Sequence, residues 1–235
     1  MMKLFGLYAV VSLSLLFSPQ VPISSQQILP PFPRAGAIEA KDAERFRIWD
    51  VTLQRGESTG TRKLDLDQVS ISLTEGALKF TLPDGTWRIE QERVGSIRFE
   101  SKGTVLEEQS LSDLTFHEEV FQLKDSVPLP WPVTTNIPAQ FPRVNTVKVF
   151  ETDRINVWDE RWIPGTRITR HLHYHRTAAV FLEGGTLRLI PDQGEAGAPF
   201  TRKPGEVIVT DSFNPTPHEE EQVAGSPRAI WIEFK

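Results

Sequence analysis

Apolar residues in this chain recur at every second position or in short unbroken runs. "ALKFTL" (77–82), "SIRFES" (96–101), "TLRLI" (186–190), "EVIVT" (206–210) and "AIWIEF" (229–234) are of this kind. These segments are rich in β-branched and aromatic residues, and Gly, Pro and Asp turns separate them. After position 44 no segment keeps a helical period over twelve residues. Many short strands at regular spacing predict an all-β sandwich or barrel.

The strand pattern occurs twice. "IWDVTLQRG" (48–56) and "VWDERWIPG" (157–165) both read aliphatic-Trp-Asp, then five residues, then Gly, 109 residues apart. At the same spacing "SLTEGALKF" (72–80) overlies "FLEGGTLRL" (181–189), followed by "PDG" (83–85) and "PDQG" (191–194). "RVGSIRFES" (93–101) then matches "KPGEVIVTDS" (203–212), and "EVFQLK" (119–124) matches "AIWIEFK" (229–235). A period this long means two tandem domains, because solenoid repeats run to about 20–50 residues. "DSVPLPWPVTTNIPAQFPRV" (125–144) holds five prolines and reads as an extended connector. A shorter proline-rich segment covers 26–43. The domains are therefore expected at 44–124 and 145–235.

The N-terminal pattern is different. Lys3 is the only charge before an apolar run from Leu4 to Phe17, and small residues and prolines follow it. This predicts a secretory signal peptide over 1–25, cut between Ser18 and Ser25, and so an exported protein, periplasmic or secreted. No other apolar run could span a membrane, so the mature chain is expected to have no span.

Composition adds exclusions. The chain has 235 residues, a net charge of −5 and no cysteine. Without cysteine there are no disulfides and no thiolate metal ligands. The charges are interspersed, with no basic face of the kind nucleic acid requires.

The chemistry concentrates in "HLHYH" (171–175), which holds three of the five histidines. Side chains alternate along a strand, so His171, His173 and His175 should share one face, with Leu172 and Tyr174 on the other. Imidazoles projecting into one cavity, with a third nitrogen from His218 on another strand, would suit a divalent metal: Fe, Mn, Zn, Ni or Cu. Glu219, Glu220 and Glu221 could offer a carboxylate, although adjacent acids after a turn usually form a solvated rim. Arg167 is in phase with the histidines and is the candidate clamp for a substrate carboxylate. Glu183 is also in phase, but it stands at a strand end before two glycines. Trp49 and Trp158 recur in both copies, which favours packing. His117 has no counterpart in the second copy and reads as superficial.

"PGTRITRHLHYHRTAAVFLEGG" resembles the first motif of the cupin family, with Gly165, His171, His173 and Gly184 in place. "PGEVIVTDSFNPTPHEEEQ" resembles the second, with Gly205 and His218. The resemblance implies two tandem double-stranded β-helix (jelly-roll, cupin) domains, a bicupin. It also implies His171, His173 and His218 as metal ligands. The glutamate of the family motif would fall near Thr177, which leaves His175 as a fourth ligand or as a hydrogen-bond partner of the ligands. The first copy has Arg62 and Leu64 where His-x-His should stand and "LEEQ" (106–109) in the region of His218, so no metal is expected there.

Three functions fit these observations. The first is an exported metalloenzyme of dioxygenase, isomerase or decarboxylase type, acting on a small anionic substrate. The second is a non-catalytic module that binds or senses a small ligand or the metal, with the first copy as scaffold or homodimer surface. The third is a purely structural protein.

Overall fold

The structure is a computed structural model that describes residues 27–125, 136–210 and 214–235. The signal peptide expected over 1–25 and residues 126–135 of the expected connector lie outside the described residues. No described residue is helical.

The first copy contains β1 (Ala37–Asp42), β2 (Phe46–Leu53), β3 (Arg62–Lys63), β4 (Asp67–Ser72), β5 (Gly76–Thr81), β6 (Trp87–Glu92), β7 (Ile97–Glu100), β8 (Val105–Ser110) and β9 (Phe116–Leu123). They form two antiparallel sheets, ordered β1-β2-β9-β4-β7 and β3-β8-β5-β6. The second copy contains β10 (Thr146–Glu151), β11 (Ile155–Arg161), β12 (Ile168–His173), β13 (Arg176–Pro191), β14 (Phe200–Arg202), β15 (Val207–Thr210) and β16 (Asn214–Phe234). Its order is β10-β11-β16-β13-β14, with β12 paired to β16 and β15 to β13.

The two copies differ in continuity. β13 spans what β4 and β5 do separately, and β16 spans β8 and β9. Long strands can serve both walls of a barrel only by bending, and β13 bends at "EGG", where its register with β16 shifts repeatedly. A Cβ on Gly185 would lie 2.5 Å from the Pro227 ring, so only glycine allows the strands to approach this closely. The hairpin turns repeat as well: Gly95 and Gly205 both have positive φ, and each turn is closed by a bond from residue i+3, Ser96 to Arg93 and Glu206 to Lys203.

The strand runs that are apolar without alternation are buried on both faces. On β2, Trp49, Val51 and Leu53 fill the first barrel, while Phe46 and Ile48 face the second. Phe46, Ile48, Val69, Ile71, Phe121 and Leu123 pack against Ile155, Val157, Ala178, Val180, Ile230 and Ile232 in one shared core. The joint has an internal twofold character. Arg45 donates to the Lys235 carbonyl of the second copy, and its repeat partner Arg154 donates to the Leu123 and Lys124 carbonyls of the first. A self-complementary face of this kind is what a symmetric dimer interface would use. Here the two copies of one chain use it on each other.

Residues 27–43, read as a proline-rich lead-in, belong to the first barrel. β1 pairs with β2, and the Phe32 ring stacks on Trp49 at 4.4 Å between centroids. The second copy repeats the contact with Phe141 on Trp158 at 5.1 Å, so the connector's last residues likewise enter the second barrel.

Candidate metal centre

β12 lies against β16 with His171 opposite His218. His171 and His173 project to the barrel side, where His218 and Glu220, two residues apart on β16, meet them. All four are buried, and one donor atom from each lies within 4.8 Å of the others. His173 Nε2 is 3.3 Å from His218 Nε2. Glu220 Oε1 lies 3.9 Å from the Nε2 atoms of both His171 and His218, close enough for charge attraction but beyond a hydrogen bond.

The remaining bonds aim these atoms inward. His171 Nδ1–H donates to the Thr169 carbonyl at 2.9 Å, and His218 Nδ1–H donates to that of Thr216 at 3.1 Å. Both bonds select the tautomer with an Nε2 lone pair facing the site. Glu220 Oε2 accepts from Trp162 Nε1 at 2.9 Å and from Arg143 Nη2 at 3.3 Å, which leaves Oε1 toward the imidazoles. His173 Nδ1 is buried without a partner.

Burial keeps the first two imidazoles neutral. It pushes His171 down to about 4, with help from the Arg143 charge, and His173 down to about 3. Burial also works against charge on His218, but Glu220 and the Thr216 carbonyl outweigh it and raise this imidazole. Burial opposes ionisation of Glu220, yet Arg143 and the histidines hold its carboxyl well below the usual range. Two neutral imidazoles, a third nitrogen and a carboxylate, all desolvated, form a donor set that fits a divalent ion at bond lengths of about 2.0–2.2 Å.

The neutral histidines also predict a pH dependence. Between 6.5 and about 4 the unfolded chain binds protons that the folded metal-free chain refuses. Stability should therefore fall as pH drops through that window. Urea unfolding of chelator-treated protein should show a loss of several kcal/mol from this source, about 3 kcal/mol from each histidine. A His171→Ala/His173→Ala variant should lack that part of the slope.

Two residues read from the sequence stand elsewhere. β12 ends at His173, and Tyr174 and His175 lie in the bend before β13, so the alternation that aligned His175 with the others stops there. His175 lies outside the four-residue group, and the charges acting on it are those of Glu233, Arg45 and Lys235. Arg167 is on the outer surface, paired with Glu219 at 3.2 Å and Glu221 at 3.5 Å. Those two acids do form the solvated rim. Glu220 between them faces inward, as its two-residue step from His218 could have indicated. Glu183 is at the surface, 3.5 Å from Arg161.

Sequence reasoning missed Arg143, assigned to the connector. Its guanidinium forks onto Glu160, Nε and Nη2 each at 2.6 Å, and its Nη1 donates to His171 Nε2 at 2.9 Å. A signal for it exists: "FPR" at 141–143 repeats "FPR" at 32–34 with the same 109-residue spacing.

The first barrel shows the same layout with different chemistry. Arg62 pairs with Leu106 where His171 pairs with His218, and Leu64 follows two residues later. Glu108 takes the place of Glu220, and Arg34 that of Arg143. Arg98, from β7, fills the middle: Nη2 donates to Glu118 at 2.8 Å and Glu108 at 3.1 Å, and Nη1 donates to Glu92 at 3.2 Å. A guanidinium therefore sits among the carboxylates, and a cavity of only about 30 Å³ remains.

The second barrel keeps a cavity of about 180 Å³ beside His173, His218 and Glu220. Aromatic and aliphatic side chains, among them Trp162, Phe181, Phe200 and Ile208, form its walls, with Arg202 and Thr210 as polar points.

Comparison with known proteins agrees with this architecture. No family model matches the chain, and no curated protein matches its sequence. Solved structures do match in fold. A cupin 2 conserved barrel domain protein from Leptotrichia buccalis superposes with a TM-score of 0.54 at 14% identity, covering 88% of this chain and 99% of that one. Protein Ylba from E. coli gives 0.58 at 13% identity, with coverage of 89% and 86%. A variant of Bacillus subtilis oxalate decarboxylase gives 0.56 at 12%, with coverage of 85% and 72%. The chain thus has the all-β jelly-roll fold of the cupin superfamily, and its second barrel carries a buried His/Glu group that could hold a metal ion.

Proposed function

We propose that the second barrel holds one divalent metal ion on His171, His173, His218 and Glu220, and that the protein is an exported small-molecule metalloenzyme acting on an anionic substrate. The observation that carries this reading is the convergence of the Nε2 atoms with Glu220 Oε1, while two Nδ1–H groups are committed to backbone carbonyls. Bound Fe, Mn, Zn, Ni or Cu would supply Lewis acidity toward a carboxylate or enolate oxygen. The chain's own residues would do the rest. Trp162 and Arg143 orient Glu220. The aromatic walls exclude water from a small ligand. Arg202, which lines the cavity with Thr210, supplies the positive charge expected of Arg167. The N-terminal apolar run supports export before the protein acts.

One observation favours the non-catalytic alternative. Among the described residues lining the cavity, the only titratable groups besides the candidate ligands belong to Arg202. No independent general base stands ready, as a binding module would allow.

Metal analysis of the full-length protein tests the proposal. His171→Ala/His173→Ala should hold one equivalent less than wild type. Equal metal content in the two proteins, or a wild type that takes up none, refutes it. Oxygen uptake and product analysis with a panel of small acids and phenolics then separate enzyme from binder.

A further inference from the structure

A second group of donor atoms lies outside the barrels. β2 and β9 run side by side, with Asp50 opposite Glu119 and Thr52 opposite His117. Asp50, His117 and Glu119 therefore share one sheet face, the face that carries Phe46, Ile48 and Phe121 into the core between the copies. His117 and Asp50 stand where that core gives way to solvent, with side chains 31% and 43% exposed. Their nearest atoms, His117 Nε2 and Asp50 Oδ1, are 2.8 Å apart. One donor atom from each of the three residues lies within 4.8 Å of the others.

Glu119 is the anomaly. It is 2% exposed, and its Oε2 has no hydrogen-bond partner. No lysine or arginine among the described residues forms an ion pair with it. Burial, then the neighbouring carboxylates of Asp50 and Glu118, push its carboxyl up to about 8. A buried carboxyl oxygen without donor or counter-charge is rare, because desolvation is then uncompensated.

The second copy holds a different set of side chains at the equivalent positions. Asp159 takes the place of Asp50, Arg228 that of His117 and Ile230 that of Glu119, in the same strand register. Arg228 forks onto both Asp159 oxygens at 3.0 and 2.8 Å, so the charge is balanced there by a guanidinium. The first copy replaces that cation with an imidazole and adds a second carboxylate. It lacks the guanidinium and has two further donor atoms.

We propose that Asp50, His117 and Glu119 form a second divalent-cation site, on the outer face of the first barrel. One imidazole and two carboxylates suit Zn²⁺, with the solvent side open for a water ligand. Glu119 is the anchor, and the half-exposed Asp50 and His117 give the ion its route in. The site is independent of the barrel centre, so its test must count the two ions separately.

The experiment uses tag-free full-length protein stripped with a chelator and titrated calorimetrically with Zn²⁺. Co²⁺ serves as a spectroscopic probe of ligand geometry. The His171→Ala/His173→Ala variant should still bind one equivalent of Zn²⁺, and adding Glu119→Gln should remove it. Glutamine keeps the shape of a neutral Glu119, so the metal-free Glu119→Gln protein should melt no lower than wild type. Its melting temperature should lack the outer-site share of the rise produced by Zn²⁺ in wild type. His117→Ala should likewise delete the outer equivalent. The proposal is overturned if His171→Ala/His173→Ala binds no Zn²⁺, or binds it equally with and without Glu119→Gln. Failure of the barrel site would look different: wild type would then bind only the equivalent that Glu119→Gln removes.

Discussion

Replacing Arg98 with methionine is expected to destabilise the protein by about 3–5 kcal/mol, the range for removing one partner of a buried ion pair. Arg98 contacts three carboxylates inside the first barrel, and its side chain is 9% exposed. Methionine fills much of the same space, so the loss should come from charge and not from a cavity. Arg34 remains, 3.1 Å from Glu108 and 3.7 Å from Glu118, and cannot neutralise three acids. The defect should depend on pH. Burial already raises Glu118 to about 7 despite Arg98, and removing the guanidinium raises it further. A carboxyl with a raised folded-state pKa favours the native state at low pH, and that contribution is lost as pH rises through the folded value. Guanidinium unfolding should therefore show a larger difference between variant and wild type at pH 8 than at pH 5. A pH-independent defect, or none, would mean that the carboxylates are not held apart by this cation.

The counterpart in the second barrel should behave differently. Arg143→Met is expected to destabilise the metal-free protein by a similar amount, about 3–5 kcal/mol, because Glu160 is fully buried and loses its fork. Yet it should bind metal in the barrel more tightly than wild type, by about tenfold or more. In the metal-free protein Arg143 Nη1 occupies the His171 lone pair that an ion would need, and its charge repels a dication at short range. Removing it frees one ligand and deletes the repulsion, and Trp162 still holds Glu220. Calorimetry on the folded variant, with Glu119→Gln added to silence the outer site, would read this directly. Weaker binding would show that Arg143 serves chiefly to orient Glu220 for the ion.

Much of the architecture is legible in the sequence. Period-two and continuous apolar runs identified strands, and the 109-residue repeat revealed two copies of one unit. The same alignment placed Arg62 and Leu64 at the positions equivalent to His171 and His173, and the pairing of Arg62 with Leu106 parallels that of His171 with His218. Alternation put His171 and His173 on one face, but it could not know where β12 would end. Once the strand stopped at His173, His175 turned toward the Glu233 side. Alternation would also have drawn Glu220 inward with His218, but three adjacent acids looked like a solvated rim. Prolines around Arg143 suggested a connector, whereas its "FPR" segment docks through Phe141 on Trp158 and delivers a buried guanidinium.

The sequence by itself determined the all-β class, the duplication and the strand that brings His171 and His173 to a common face. Backbone alternation and turn chemistry are local, so they can be read from the order of residues. Tertiary structure alone decided which donors meet: Glu220 with the three imidazoles, Arg98 among the carboxylates of the first barrel, and Glu119 buried beside Asp50 and His117. Those encounters join residues far apart in the chain. Their energies depend on burial and on the nearest opposite charge, neither of which is a property of any single stretch of sequence.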